Sequence, residues 1–159
     1  MGDALAVVLS TARGFQPEDF ARFHPGGSLG RKLLTRISDV MHSRALPFCA
    51  HDASFREVIQ TITRGRLGLA IVMDSGKLCG VITDGDIRRA FEKESASASL
   101  TASVIMTKTP KTINQSERLV VAEELMHEEK IKELIVVNDS QQVTGVLQIF
   151  DVDQTESDQ

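Results

Sequence analysis

The sequence predicts an α+β fold in which two copies of a β-α-β-β-α unit pack together with pseudo-twofold symmetry, preceded by a helical segment. The first observation is an internal repeat, because several hydrophobic phrases recur at a spacing of about 65 residues. The second is the pattern inside each copy, where an amphipathic helical stretch precedes two apolar runs of strand length. The third is size: a chain of 159 residues buries about 70% of its unfolded surface, which is enough for two small units that share a core.

The repeat is clearest in three pairs of phrases. These are Val40-Met41 and Ile105-Met106, Gly80-Val81-Ile82 and Gly145-Val146-Leu147, and Asp86-Ile87 and Asp151-Val152. In the middle of each copy the spacing is one residue shorter. The change falls in a predicted turn: residues 74–77 of the first copy correspond to the longer segment 138–142 of the second. Surface turns are positions that tolerate insertions.

Each copy begins with a short extended piece and continues into a helix. In the first copy Ser54 and Glu57 form an S-x-x-E capping box at the helix start, and Gly65 is predicted to end the helix. The apolar stripes of the two helices are Phe55, Val58, Ile59 and Ile62 in the first copy, and Leu119, Ala122, Leu125 and Met126 in the second.

Two buried strands follow each helix. They are predicted at 69–73 and 78–83 in the first copy and at 134–137 and 143–148 in the second. The first copy then enters a short helix at Asp84. The hydrophobic phrases that precede the copies, Val40-Met41 and Val104-Ile105-Met106, are predicted to cover the neighbouring strand edge.

The chain is predicted to divide into five regions. Residues 1–35 form a separate helical unit, 37–94 the first repeat, 95–100 a linker of small residues, 101–153 the second repeat, and 154–159 a disordered polar tail.

Composition and charge argue against several classes of partner. Residues 1–36 carry five basic and three acidic side chains, giving +2, whereas the remainder carries 13 and 19, giving −6. A surface of −6 repels a nucleic acid backbone, and the absence of Trp and Tyr argues against an aromatic platform for single strands. Without a run of 18 apolar residues, no membrane span is expected.

The cysteines predict a reduced, cytoplasmic protein without a metal centre. Cys49 and Cys79 lie in apolar surroundings and form no CxxC pair, so both are expected to be buried free thiols. Two cysteines cannot build a tetrahedral zinc site alone, and the four histidines are scattered.

Thr83 and Asp86 are the best ligand candidates, because they lie where a strand passes into a helix. Free backbone N–H groups at a helix start favour a phosphate; a threonine hydroxyl can donate to a phosphate oxygen, and an aspartate can accept from both hydroxyls of a ribose. Arg88 and Arg89 could add a cationic contact. The alternative is simple helix capping, which the residue types alone favour. In the second copy Asp151 is kept but Gln148 replaces the threonine, which predicts a weaker site.

These phrases resemble known families. The segment Gly80-Val81-Ile82-Thr83-Asp84-Gly85-Asp86, in this order of elements, resembles a CBS domain, and residues 37–153 resemble a tandem CBS pair. Upstream, Gly2-Asp3-Ala4-Leu5-Ala6, Ala12-Arg13-Gly14-Phe15, Glu18-Asp19-Phe20 and His24-Pro25-Gly26-Gly27-Ser28-Leu29-Gly30-Arg31 are similar to the end of a sugar isomerase (SIS) domain. Together they resemble the C-terminal half of the bacterial arabinose 5-phosphate isomerases.

The resemblance implies an activity and a catalytic residue. That family interconverts D-arabinose 5-phosphate and D-ribulose 5-phosphate to supply Kdo for lipopolysaccharide or capsule, and its SIS domain assembles into tetramers. The resemblance gives the catalytic role to His24; from the residues alone, a histidine in a Pro-Gly-Gly turn more often caps the turn. The family's sugar-phosphate loop, lysine and two glutamates have no counterpart here, so this chain alone is predicted to be inactive.

Three functions remain as alternatives. The first is the regulatory CBS pair of such an isomerase, binding AMP, ATP or a CMP-sugar and requiring no other cofactor. The second is a free-standing adenine-nucleotide sensor that acts on a partner protein, and the third is a purely architectural module that holds an oligomer together. The expected partners are a nucleotide effector and further copies of the isomerase chain in a homo-oligomer, with no nucleic acid or membrane partner.

Overall fold

A computed structural model of the protein describes residues 33–93 and 100–154, including the backbone but not the side chains of 93 and 152–154. The first repeat contains α1 (Ile37–Val40), β1 (Phe48–Ala50), α2 (Phe55–Gly65), β2 (Leu69–Asp74), β3 (Lys77–Thr83) and α3 (Asp84–Lys93). The second contains α4 (Ala102–Ile105), β4 (Thr112–Asn114), α5 (Leu119–Glu129), β5 (Glu133–Val137), β6 (Val143–Gln148) and α6 (Ile149–Gln154).

The predicted elements and the α+β fold class are confirmed, and the four long strands agree with prediction to within one residue at each end. Gln154, predicted as the first residue of the tail, closes α6 instead. The predicted helical unit at 1–35 falls outside the described residues except for 33–35, as does nearly all of the linker. None of the described helices is long and apolar enough to cross a membrane.

The start of α2 is fixed by the predicted capping box. The Ser54 hydroxyl oxygen accepts from the Glu57 backbone N–H at 3.4 Å, and the Glu57 carboxylate accepts from the Ser54 backbone N–H at 2.7 Å. Both bonds satisfy donors that a helix start leaves open.

The end of α2 differs from the prediction. Gly65 is the last helical residue, and the left-handed conformation that ends the helix is adopted by Arg66, at φ 57°. Lys130, the equivalent residue of the second copy, ends α5 in the same way at φ 53°. Gly65 is needed for another reason: a Cβ there would lie 2.6 Å from Cβ of Pro47. The glycine therefore permits close packing rather than a reversed φ.

Each repeat forms a three-stranded sheet, in the orders β1-β2-β3 and β4-β5-β6. β1 pairs parallel with β2, placing Cys49 opposite Val72, and β2 pairs antiparallel with β3. In the second repeat β4 pairs parallel with β5, placing Ile113 opposite Val136. The matching topologies follow from the repeated sequence.

The described residues form two compact units, and each takes residues from both repeats. The described part of one comprises 42–93, 100–114 and Leu134–Val146, and that of the other comprises 33–41, 115–133 and 147–154. Because the first unit contains β2, β3 and most of β5 and β6, it holds residues from both sheets.

One core of the first unit is built from both repeats. Leu69, Ile71, Ile135 and Val146 are buried together in it. Ile71 and Ile135 are equivalent positions of the two copies, and Val146 has its counterpart in Val81, which packs against the same cluster. Equivalent residues therefore meet in one core, as the predicted pseudo-twofold arrangement requires.

The segment before each repeat covers a strand of the other repeat. Thr107, which follows the second phrase, exchanges two backbone hydrogen bonds with Val81 of β3, at 3.1 and 2.9 Å. His42, which follows the first phrase, does the same with Val146 of β6, with both distances at 2.9 Å. β3 and β6 each form one edge of their sheet, the other edges being β1 and β4, so each crossed segment covers one strand edge, as predicted.

Candidate functional site

The candidate site is formed where β3 passes into α3. Thr83 is the last residue of the strand and Asp86 the third residue of the helix. One carboxylate oxygen of Asp86, Oδ2, accepts from the Thr83 backbone N–H and from the Thr83 hydroxyl, both at 2.8 Å. The pair thus caps the helix start, and the threonine hydroxyl, the carboxylate and the strand end lie together as the sequence predicts.

The second carboxylate oxygen of Asp86 is also engaged. Oδ1 accepts from the guanidinium of Arg89, forming an ion pair, and from the Thr107 hydroxyl at 3.3 Å. The Asp86 side chain is only 7% exposed. Since a carboxylate offers about four acceptor positions, these four donors saturate it.

Asp86 remains ionised at neutral pH in these surroundings. Burial raises the pKa of its carboxyl, but the hydrogen bonds from Thr83 and Arg89, together with the positive charge of Arg89, outweigh burial and hold the pKa below the ordinary value. A buried carboxylate of this kind is retained because every lone pair has a donor.

The structure brings only one of the two candidate arginines to the carboxylate. Arg89 reaches Asp86 one helical turn along α3, while its side chain stays 60% exposed. Arg88 is exposed on the same helix, and spacing explains the difference, since residues three apart share a helix face. The predicted role of Arg88 as a ligand contact stays a prediction.

Thr107 is a site residue that the sequence analysis missed. It reaches Asp86 because its segment crosses from the second repeat to β3. The sequence indicates part of this contact, because the segment Val104-Ile105-Met106 just before Thr107 is predicted to cover a strand edge. Which strand it would cover depends on how the two copies pack.

The second copy reproduces the capping bond but not the surroundings. The Gln148 backbone N–H donates to Oδ2 of Asp151 at 2.8 Å, matching the bond from Thr83 to Asp86. Phe150, 64% exposed, occupies the position equivalent to Gly85. The amide and the aromatic ring leave a different surface from that of the first copy, and both Gln148 and Asp151 make further interactions.

The predicted catalytic residue His24 lies outside the described residues, so its role stays a prediction. Among residues 33–93 and 100–154, no group of three or more His, Cys, Asp or Glu side chains is arranged to hold a metal ion.

A separate cleft of about 470 Å³ lies beside α2 and does not include Thr83 or Asp86. It is lined by Cys49, Ala50, Asp52, Ala53, Glu57, Gln60, Thr61 and Arg64. Cys49 is a free thiol, buried as predicted, whereas Cys79, also a free thiol, is only half-buried because it lies on the outer strand β3. Burial, with a smaller contribution from neighbouring Cys79, raises the pKa of the Cys49 thiol to about 11.

Cys49 should consequently react slowly with iodoacetamide. At pH 8 a thiol with a pKa of about 11 is about one thousandth thiolate, against about a quarter for an ordinary thiol. A time course of alkylation followed by mass spectrometry of the native protein measures the rate. The control is the urea-unfolded chain, in which Cys49 should alkylate at the ordinary rate; equal rates in the two states would contradict the burial.

The model of the CBS domain family matches residues 37–93 and 102–154. The solved structure of a CBS domain protein from Pyrobaculum aerophilum, PAE2072, complexed with AMP, superposes with a TM-score of 0.67 at 28% identity, covering 74% of this chain and 89% of that one.

Two curated relatives are similar at a higher level. Arabinose 5-phosphate isomerase KpsF of Escherichia coli is 49% identical over 152 residues, which is 95% of this chain and 46% of the relative. A probable arabinose 5-phosphate isomerase of Haemophilus influenzae is 50% identical over 149 residues, 93% of this chain and 44% of the relative. The chain therefore spans less than half the length of the curated relatives it matches.

Proposed function

Because this chain belongs to the CBS domain family, we propose that it is the regulatory part of an arabinose 5-phosphate isomerase and that it binds an adenine nucleotide beside Thr83 and Asp86. The observation that carries the proposal is the junction of β3 and α3. There a hydroxyl, a carboxylate and a helix N-terminus lie within hydrogen-bond distance of one another.

Each group of the junction has a role toward a nucleoside monophosphate. The start of α3, a helix of ten residues, attracts the phosphate through its backbone N–H groups and dipole. When the nucleotide binds, the Thr83 hydroxyl turns from Asp86 Oδ2 to donate to a phosphate oxygen, and the Asp86 carboxylate accepts from the ribose hydroxyls. The relative PAE2072, solved with AMP, supports AMP as the first ligand to test.

Catalysis is proposed to belong to a longer protein that includes this segment. Support comes from KpsF, of which the matched segment is 46%. Sugar-phosphate isomerisation needs a positioned substrate, a base and an acid together. The single candidate, His24, cannot provide all three, so we expect the 159-residue chain to be inactive without the rest of the enzyme.

AMP binding should raise the melting temperature of the chain. A ligand at 100 times its Kd stabilises a protein by about 2.7 kcal/mol, and for a domain of this size each kcal/mol shifts Tm by roughly 2–4 °C. We therefore expect a rise of roughly 5–10 °C at saturating AMP, measured by differential scanning fluorimetry.

Two matched variants identify the copy that binds. Asp86→Asn should abolish the AMP-induced shift, because the amide cannot accept from two ribose hydroxyls as the carboxylate does. Asp151→Asn removes the same charge from the equivalent position of the second copy and should leave most of the shift. If Asp86→Asn kept the AMP-induced shift and Asp151→Asn lost it, the nucleotide would bind to the second copy, and the proposed site beside Asp86 would be wrong.

One observation favours an architectural role as the second candidate. The Asp86 carboxylate is already saturated by protein donors and nearly buried, as expected of a residue that only caps a helix and holds two repeats together. A flat melting temperature with millimolar AMP, ATP and CMP-sugars would support that role and overturn nucleotide binding.

A further inference from the structure

We propose that Arg89 acts as an internal competitor for the nucleotide: its guanidinium occupies the Asp86 oxygen that a ribose must take, so Arg89 sets the affinity of the site. This contact between Arg89 and Asp86 is called the Arg89 latch below. The inference rests on the proposed function, since it concerns the same site.

The saturated carboxylate is the first step of the argument. Of the four donors to Asp86, the Thr83 N–H is fixed by the backbone, and the Thr83 hydroxyl lies on the same residue. The Thr107 hydroxyl is a weaker partner at 3.3 Å, on a segment held to β3 by two backbone bonds. A ribose hydroxyl can bind Asp86 only if one of these donors leaves.

Arg89 is the charged donor that a ribose has to displace from Oδ1. Its side chain is 60% exposed, so the guanidinium regains water when it swings away, but it gives up a charge-assisted contact with the nearly buried carboxylate. The Thr83 hydroxyl can rotate from Oδ2 to the phosphate and so frees a position on the other oxygen, whereas the Thr83 N–H is fixed by the backbone. The contact with Arg89 is therefore the one that lowers the affinity for a ribose.

The position of the guanidinium indicates that it covers the site. A Cβ at position 85 would lie 3.4 Å from Nη1 of Arg89 and 3.6 Å from the Thr83 hydroxyl. The guanidinium therefore lies against Gly85, beside the hydroxyl proposed to meet the phosphate. In the second copy the equivalent positions are Phe150 and Gln154, so the latch is specific to the first copy.

The test compares Arg89 with an arginine of the same charge outside the site. AMP binding is measured by calorimetry at one ionic strength for the unmodified chain, Arg89→Ala and Arg56→Ala; Arg56 is exposed on α2 of the same repeat. Both substitutions remove one positive charge, so the change in net charge is the same in the comparison. Arg89→Ala should bind AMP about fivefold more tightly than Arg56→Ala, the upper end of what an ion pair with an exposed partner contributes.

A second ligand separates competition from a structural effect. AMP has one hydroxyl for the Oδ2 position that the Thr83 hydroxyl frees and one for the Oδ1 position that Arg89 frees. 2′-Deoxy-AMP has a single hydroxyl and can bind at Oδ2 alone, so the gain in Arg89→Ala should be largest for AMP and nearly absent for 2′-deoxy-AMP. Arg89→Gln, which keeps a polar side chain, should show the same ordering and serves if the alanine variant melts early.

The outcomes distinguish the latch from the proposed function. Equal or weaker AMP binding in Arg89→Ala than in Arg56→Ala, or an equal gain for both nucleotides, overturns the latch and leaves nucleotide binding intact. Absence of AMP binding in all variants and in the unmodified chain overturns the proposed function itself, and the latch with it.

Discussion

Asp86→Ala should destabilise the fold by about 3 kcal/mol. The substitution leaves the N–H and the hydroxyl of the half-buried Thr83 without their acceptor, and each donor orphaned in this way costs about 1–3 kcal/mol. Thr107 and Arg89 are both exposed and can turn to water, so their loss adds little. Urea denaturation followed by circular dichroism measures the free energy of unfolding.

The matched control is Asp84→Ala. Asp84 lies in the same first turn of α3 and is exposed, so its loss removes the same charge from the helix start and should cost less than about 1 kcal/mol. If the two variants lost equal stability, Asp86 would be acting only through the helix dipole, and the four-donor arrangement would contribute nothing measurable.

The stabilisation by Asp86 should also depend on pH. Its folded-state pKa lies below the ordinary value of 3.8, so the ionised carboxylate stabilises the folded state fully above the unfolded pKa. That part of the stability is lost as the pH falls through the folded pKa. The difference in unfolding free energy between the unmodified chain and Asp86→Ala should therefore be constant near neutrality and shrink below about pH 3.8. A difference that grew on acidification would contradict the depressed pKa.

Gly65→Ala should destabilise the protein by about 1–3 kcal/mol, although alanine is the better helix former. The new Cβ would lie 2.6 Å from Cβ of Pro47, a ring carbon that cannot rotate away. Either α2 or the segment before β1 must shift, and overpacking of this kind costs more than the propensity gain of about 1 kcal/mol. For this chain length the loss appears as a Tm lowered by roughly 2–4 °C per kcal/mol.

Gly85→Ala is the matched control, because it is the same substitution inside a helix without the collision. A Cβ there comes no closer than 3.4 Å to Arg89, whose side chain is flexible. The variant should be neutral or more stable by up to about 1 kcal/mol. If Gly65→Ala stabilised the protein as much as Gly85→Ala does, the segment that carries Pro47 would be able to move away at no cost, and the predicted collision would be wrong.

Much of the fold could be predicted because the sequence contains an internal repeat, so the same order of elements is indicated by two separate segments. The strands of both copies and the Ser54 capping box depend on local patterns, namely apolar runs and an S-x-x-E spacing. The end of α2 could not be predicted this way. The chain has a glycine at the expected place, but the packing of Pro47 assigns that glycine to close contact and gives the left-handed conformation to Arg66.

The site could be predicted only in part, for a similar reason. Thr83 and Asp86 follow from residue types at a strand end, whereas the partners of the carboxylate depend on tertiary placement. Helix geometry selects Arg89 over Arg88 once α3 begins at Asp84. Thr107 lies 21 residues away along the chain and reaches Asp86 only because the two copies exchange their leading segments.

That exchange makes each copy depend on the other to become complete. Cutting the polypeptide between the copies would strip β3 of Thr107 and β6 of His42, and each half would present bare N–H and C=O groups along an outer strand, a surface on which chains aggregate. The pairing of Thr107 with β3 and of His42 with β6 joins residues that are far apart along the chain. Such contacts slow folding, because distant segments must first meet. The two copies are therefore expected to fold together rather than one after the other.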